Sequence, residues 1–392
     1  RELFRRMMRI QGCYIPSFYE PEYKPDGTIL RYRILEPGAP AEIQRAIVKD
    51  LDTVNYPTAP VVPNIQVVFD RAMVEVFRGC TRGCRFCHAG MTTRPVRERS
   101  PEIVQQLARE IVKNTGYNEV SLVSLSTADY TDIDRTLTRL SAEMSCGNVN
   151  VTLPSTRVDA FSVALADRLQ QVHKSSITLA PEGGSARIRR VINKTVSDRD
   201  IREAFRAAFA SGYRAIKLYF ILGLPTETDE DLKGIVEKAE WALEIADEML
   251  ERSEARKVRV TISVSVFVPK PHTPFQFEPQ VEPDEVRRRQ RYIRSLLRDR
   301  RIEYKYHPSD GSQIEALLSL GARRVADVVL RAWEMGARFD GWQEHFDYER
   351  WMQACREVGV SLDFYVHRRK GYGEVFAWDH LSSGVSKEWL ME

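Results

Sequence analysis

Between Met73 and Phe267 short β-rich runs alternate with helical runs, the pattern of βα units laid on a parallel sheet. No other feature restricts the fold of this chain as strongly. Six strands are predicted: MVEVF from Met73, EVSLVSL from Glu119, NVNVTLP from Asn148, SSITLA from Ser175, RAIKLYFIL from Arg214 and VRVTISVSVFV from Val258. The clearest helix runs from Pro101 to Thr115, with Ser100 as N-cap, Pro101 in the first turn and Gly116 as terminator. A second starts after Ser197, carries Ile201, Phe205, Ala208 and Phe209 on one face and stops at Gly212, and a third follows GLPTETDEDL. Parallel strands joined by helical crossovers curl into a barrel or a doubly wound sheet, and in both the ligands sit at the strands' C-terminal ends. That places the loops Arg78–Arg99, Ser126–Asp132, Ser155–Asp159, Pro181–Ser185, Gly223–Glu227 and Pro269–Phe275 on one rim.

The flanks divide the chain into an irregular N-terminal segment, 1–70, a core, 71–275, and a mainly helical, aromatic-rich C-terminal region, 276–392. The first is rich in Pro and Tyr, with a hairpin expected at Pro25–Gly27. The last opens on a predicted helix, Pro283 to Arg301, with eight arginines and an apolar stripe of Val286, Ile293, Leu296 and Leu297, followed by helical runs at Ile314–Leu320 and Val325–Met335. That helix reads as a solvated amphipathic face, with RNA phosphate as its rival partner. The tail concentrates Trp342, His345, Phe346, Trp351, Trp378, Asp379 and His380, expected as interdomain core ahead of a base-stacking surface.

Over 392 residues, 43% apolar and 29% charged side chains exclude a disordered or fibrous chain, and a net charge of +3 is too small to imply nucleic acid by itself. No apolar stretch approaches the roughly 20 residues of a bilayer span, and the opening RELFRRMMRI is too charged for a signal-peptide core. A cytoplasmic protein with no membrane partner is expected. Because the chain begins at Arg1, it is also expected to be a processed or excised piece.

Of six cysteines, Cys80, Cys84 and Cys87 fall within eight positions, spaced C-x3-C-x2-C directly after the first strand. This is cofactor spacing and not a disulfide framework. Three readings compete. Cys84 to His88 formally matches the haem attachment motif C-x-x-C-H, but that leaves Cys80 idle. Zinc could use the three thiols and His88, although a ligand adjoining Cys87 is geometrically awkward. A 4Fe–4S cluster normally takes four cysteines, and with three, one iron keeps an open coordination position.

The C-x3-C-x2-C run with Phe86 before its last cysteine, opening a six-strand βα array, resembles the radical S-adenosylmethionine (radical SAM) superfamily. The segments VFRGCTRGCRFCHAGMTTRPVRERSPE, SITLAPEGGSARIRRVINK, KLYFILGLPTETDEDL, SVFVPKPHTPFQ, FDGWQEHF and WDHLSSGVSKEWL are similar, block by block, to one subfamily of it. Members of that subfamily are usually fused to an N-terminal cobalamin-binding-type domain, for which this chain has no counterpart. Cobalamin therefore enters only through a domain not in this chain.

The resemblance implies a partial (βα)6 TIM-like barrel, a 4Fe–4S cluster on Cys80, Cys84 and Cys87, and S-adenosylmethionine chelated by the open iron. Reductive cleavage then yields a 5′-deoxyadenosyl radical that abstracts hydrogen from a substrate. It also implies cofactor-binding roles, each with a structural rival. Phe86 adjoins the last cluster thiol, and Ser126 and Asp129 lie where relatives hydrogen-bond the methionine amino group, against a capped polar turn. Arg157 would fork onto the methionine carboxylate, against an ion pair with Asp159. Glu182 would bind the ribose diol, its following two glycines letting backbone approach the ligand. Lys217, on a normally buried strand, asks for an anionic partner, ligand or internal, and Phe267 would flank adenine, against core packing. The arginines of the cysteine loop would offset cluster charge or grip phosphate, against a solvated basic face.

The expected function is a radical SAM enzyme with an external electron donor such as flavodoxin or ferredoxin, acting on RNA or a ribosome-associated target. Two rivals stand beside it: a cobalamin-dependent methyl or alkyl transferase completed by a domain elsewhere, and a non-enzymatic zinc-dependent RNA-binding module.

Overall fold

A computed structural model of the chain describes residues 1–65, 67–153 and 176–392. Near the N-terminus β1 (Tyr19–Tyr23) and β2 (Ile29–Ile34) pair antiparallel around the Pro25–Gly27 turn, the hairpin expected there. The core contributes β3 (Ala72–Glu75), β4 (Glu119–Val123) and β5 (Asn150–Thr152) to one parallel sheet, in sequential order. A second parallel sheet holds β6 (Ile177–Glu182), β7 (Ala215–Leu222), β8 (Arg259–Val266) and β9 (Ile302–Tyr306), again in sequential order. A doubly wound sheet reverses strand order at a switch point. Within each sheet the order does not reverse, as expected for successive βα units.

Helices form where capping chemistry asks for them. α1 (Pro101–Thr115) starts where Ser100 Oγ accepts from Ile103 N–H and ends at Gly116, whose φ of 73° is the left-handed cap glycine adopts freely. α2 (Ile133–Ser145) follows β4, and α3 (Ala186–Val191) follows β6 behind Ser185. α4 (Asp198–Ala210) opens on a Ser197/Asp200 capping box, and α5 (Asp229–Met249) on one formed by Thr228 and Asp231.

Burial alternates sharply along β7. Ile216, Leu218, Phe220 and Leu222 are buried, with Phe205, Phe209, Leu232 and Ile235 of the helices in the same core, whereas Lys217, Tyr219 and Ile221 on the other face are not. Parallel sheets are ordinarily covered on both sides. Here the second side is partly polar, continued by Thr178 of β6 and by Thr261 and Ser265 of β8, the register partners of Lys217 and Ile221.

The C-terminal region, expected as mainly helical, also contributes a strand to the core. α6 (Pro283–Leu296) stops short of Arg301, the chain turns at Asp299, whose carboxylate takes the Arg301 N–H, and β9 then joins β8 in parallel. Val286 and Ile293 are buried and Leu296 and Leu297 pack beside them, as the stripe requires. Four of the eight arginines face carboxylates: Arg287 pairs with Asp284, Arg288 with Asp229 and Glu285, Arg289 with Glu227 and Glu285, and Arg301 with Asp247 and Asp299, while Arg291, Arg294, Arg298 and Arg300 are exposed. α7 (Ser309–Leu320), α8 (Val325–Glu334) and α9 (Tyr348–Val358) form a separate apolar cluster. Of the tail aromatics, Trp351 and Trp378 are buried, Trp378 donating to Gln276, while Trp342 is exposed.

Lys370 is buried in this region, and its Nζ has no hydrogen-bond partner among the described residues. Burial pushes its pKa down to about 8. Below that pH the fold carries a buried charge; as pH rises toward the value of about 10.4 of a free lysine the penalty disappears, so stability gains with pH across that window. Lys370→Met is accordingly expected to stabilise the fold by roughly 2 kcal/mol at pH 7, with the gain vanishing near pH 10.5, read from denaturant midpoints at the two pH values.

Candidate functional site

The cysteine loop leaves β3 and is closed at its base by a short antiparallel pairing of Phe77 with Glu98 and Arg78 with Arg97. Gly79 sits at φ 100°, and a Cβ there would come within 2.7 Å of the Pro95 carbonyl, so only glycine fits the crossing. Cys80, Cys84 and Cys87 are all half-buried. The Arg82 N–H points at Cys80 Sγ (3.4 Å) and the Gly90 N–H at Cys87 Sγ (3.3 Å), Cys87 serving as the N-cap of a short turn of helix, His88–Thr92.

Burial pushes the Cys84 thiol up, against the pull of the Lys194 ammonium, and pushes Cys87 up against its Gly90 hydrogen bond. Buried thiols with raised pKa values become thiolates when a cation takes the proton's place. One tetrahedral ion, about 2.3 Å from each sulfur, would draw them to within roughly 4 Å of one another. Among the described residues the three thiols do not form a set whose Sγ atoms all lie within 4.8 Å of one another. That spread is wider than one zinc ion would hold, while the two N–H donors aimed at sulfur suit thiolates bound to iron or to zinc alike.

The loop is strapped to the segment after α3. Arg85 N–H donates to the Ile192 carbonyl, its guanidinium to the carbonyls of Arg190 and Val191, and Asn193 Nδ2 to Gly83. Arg94 satisfies the carbonyls of Arg82 and Gly90, Arg97 those of Val48, Thr93 and Pro95, and Arg99 those of Leu51 and Glu75. An irregular loop has no ladder to occupy its carbonyls. The crowd of arginines does that work, a role outside both expectations for it.

Ser126 and Asp129 do meet. Ser126 Oγ donates to Asp129 at 2.7 Å, and Asp129 holds Arg82 by a two-pronged ion pair at 2.6 and 3.1 Å. They thereby brace the cysteine loop from the end of β4. Glu182 ends β6 in a left-handed conformation, φ 65°, uncommon for a side chain other than glycine. Its carboxylate faces Lys194 at 3.4 Å, and burial raises its pKa against that ammonium. Gly183 packs against the Ile188 side chain, and Gly184 against backbone: a Cβ on Gly184 would lie 2.2 Å from the Asp231 carbonyl and 2.6 Å from Ile235 N of α5. Lys217 lies over the Tyr219 ring, 4.7 Å from its centroid, on the less buried face of β7. Phe267 is buried in one apolar cluster with Phe86, Ile188, Ile192, Leu224 and Phe275, which puts its ring in packing and not beside an open cleft. Arg157 lies outside the described residues.

Sequence reasoning missed Lys194, because its tie to Glu182 spans a helix and no local pattern announces it. It also missed His272, at φ 55°; burial lowers its pKa, as do the nearby charges of the half-buried His88. A cavity of about 750 Å³ opens beside Cys80 and Thr81, walled by Arg45 and Arg94 and by Trp389 of the C-terminal tail.

Comparison with known proteins matches residues 74–239 to the model of the radical SAM superfamily. An uncharacterised protein of Methanocaldococcus jannaschii is 32% identical over 287 residues, covering 73% of this chain and 60% of its own length. The ribosomal protein uS12 methylthiotransferase RimO of Thermotoga sp. strain RQ2 is 24% identical, over 59% of this chain and 57% of its own. A tRNA-2-methylthio-N(6)-dimethylallyladenosine synthase of Thermotoga petrophila is 28% identical over 46% of this chain and 43% of its own. The chain thus spans about 60% or less of the length of these relatives. Among solved structures, the radical S-adenosylmethionine methyltransferase TsrM of Kitasatospora setae superposes with a TM-score of 0.42 at 13% identity, over 53% of this chain and 36% of that one.

Proposed function

The chain belongs to the radical SAM superfamily, and from that premise we propose that it is an enzyme that cleaves S-adenosylmethionine reductively at the Cys80, Cys84 and Cys87 loop. The observation that carries the proposal is the convergence on this loop of three half-buried thiols, two N–H donors to sulfur, and the Glu182–Lys194 pair at the end of β6. The chemistry supplied by a 4Fe–4S cluster bound there is one-electron transfer to the sulfonium. The chain's own residues do the rest. Cys80, Cys84 and Cys87 give three thiolates and leave a fourth coordination position for the amino acid end of S-adenosylmethionine. Glu182 accepts from the ribose hydroxyls, with Lys194 opposing the pull of burial on its carboxylate. Phe86 and Phe267 form the dry floor behind the loop, which limits water at a radical centre.

Hydrogen abstraction from an RNA or ribosome-associated substrate is the finer part of the proposal, supported by the names of the two methylthiotransferase-type relatives. Arg287, Arg288 and Arg289 are engaged by carboxylates, while Arg291, Arg294 and Arg298 are exposed and available to phosphate, and the cavity beside Cys80 offers that substrate an entry. An external flavodoxin- or ferredoxin-like donor supplies the electron.

The test is anaerobic reconstitution with iron and sulfide, then S-adenosylmethionine and dithionite. Iron, acid-labile sulfide and released 5′-deoxyadenosine are expected. Zinc without sulfide, or a full cluster that yields no 5′-deoxyadenosine, would overturn the proposal. Within it, Glu182→Gln is expected to weaken S-adenosylmethionine binding about tenfold with iron content unchanged, since a charged hydrogen bond is worth roughly 1.5 kcal/mol or more. A titration superimposable on the parent's would return Glu182 to a purely structural role.

A further inference from the structure

Away from the cysteine loop, Glu282, Asp363 and His367 each bring one ligating atom to within 4.8 Å of the others, the one such set of three among the described residues. We infer that this trio is a second metal site, for a divalent first-row transition ion such as Zn2+. One imidazole nitrogen and two carboxylate oxygens are a donor set suited to such ions.

Three observations point to a ligand. His367 is an oriented base, its side chain only 7% exposed. Its Nδ1 sits 3.0 Å from the Gln280 carbonyl oxygen, which can only accept, so Nδ1 donates and Nε2 is the nitrogen that faces Glu282. Metal-bound histidines are held in this way, the second nitrogen donating to a backbone carbonyl. Next, Nε2 and Glu282 Oε2 are 3.6 Å apart, too far for a hydrogen bond. Nitrogen and oxygen ligands of one ion, each about 2.0–2.2 Å from it, sit roughly 3 Å from one another. Finally, no Lys or Arg among the described residues pairs with Glu282 or Asp363, whereas the neighbouring Glu278, Asp284 and Glu285 are each held by an arginine. Two adjacent carboxylates are left without a Lys or Arg partner among the described residues.

The backbone presets the trio. Asp363 and His367 are the two ends of a single π-helical turn, closed by Arg368 N–H to the Asp363 carbonyl at 3.1 Å. Such turns recur at functional sites. Glu282 is the N-cap residue of α6, and Gln280 N–H donates to the Val366 carbonyl at 3.0 Å, so both segments are already aligned. An ion here clamps the approach to α6 onto the C-terminal region.

The test is anaerobic Zn2+ titration of the full chain against a competing indicator, comparing the parent with His367→Ala, Asp363→Asn and the exposed control Glu230→Gln. The loop thiols are common to all four proteins and cancel in the difference. The parent and the control are expected to bind one equivalent more than His367→Ala, and Asp363→Asn to bind that equivalent at least tenfold more weakly. Far-ultraviolet circular dichroism verifies folding, and Asp363→Asn, an isosteric surface change, keeps the test open if His367→Ala unfolds. Equal stoichiometry and affinity in the parent and in folded Asp363→Asn would overturn the site.

Discussion

Cys84→Ala, reconstituted anaerobically, is expected to lose the full 4Fe–4S cluster and to release no 5′-deoxyadenosine above background. Cys84 sits mid-loop, half-buried, and the only thiols near it are those of Cys80 and Cys87. With one of three thiolates gone, no fourth protein sulfur is within reach. Cys355 is buried in the C-terminal helical cluster and Cys146 is exposed at the end of α2, so Cys355→Ala and Cys146→Ala are expected to keep parental iron content, as is Cys13→Ala. Iron and sulfide analysis with the 420 nm region of the visible spectrum reads the outcome; a full cluster in Cys84→Ala would sink the ligand assignment.

Gly184→Ala is expected to be among the most damaging substitutions available outside the cysteines. The Cβ it adds would press on backbone of α5, at 2.2 Å from the Asp231 carbonyl, and Gly234 meets Gly184 from the opposite side with 2.7 Å for its own missing Cβ. Neither wall is the end of a flexible side chain, so relief requires moving a 21-residue helix away from the end of β6. Overpacking of this kind costs about 3 kcal/mol, enough to lower the melting temperature by several degrees. Gly373→Ala, which meets nothing within 4 Å, is the matched control and should melt with the parent. Because Glu182 lies two residues upstream, Gly184→Ala should also weaken S-adenosylmethionine binding. A melting curve unchanged in Gly184→Ala would show that the two backbones are not in contact.

The repeating units were legible because their signals are local. Ser100, Pro101 and Gly116 bracket α1, and Ser197 opens α4, with no help from distant residues. β9 was not legible. IEYKY follows an arginine-rich helix in a stretch without further βα alternation, and it becomes a strand by pairing with β8, some forty residues earlier. At the site, the thiol spacing was readable since all three ligands sit on one loop. Glu182 was singled out, but the role given to the glycines behind it was not the one found: sequence shows that backbone can approach closely there, and only the fold shows that α5 is what approaches. The loop arginines illustrate the same boundary. Composition counts their charge, whereas the carbonyls they serve, from Leu51 to Val191, are set by tertiary placement.

β9 also imposes an order on events during synthesis. The eight-residue β8 has a partner in β7 as soon as it leaves the ribosome, but its other side stays open until residue 306 has emerged. In that interval the nascent sheet carries a free, flat edge of backbone donors and acceptors, the kind of surface that recruits strands from other chains. The segment made during the wait is α6, studded with arginines and carboxylates that pair among themselves and with α5. A charged helix that cannot itself add to the edge is the safest sequence to be translating while that edge waits for its last strand.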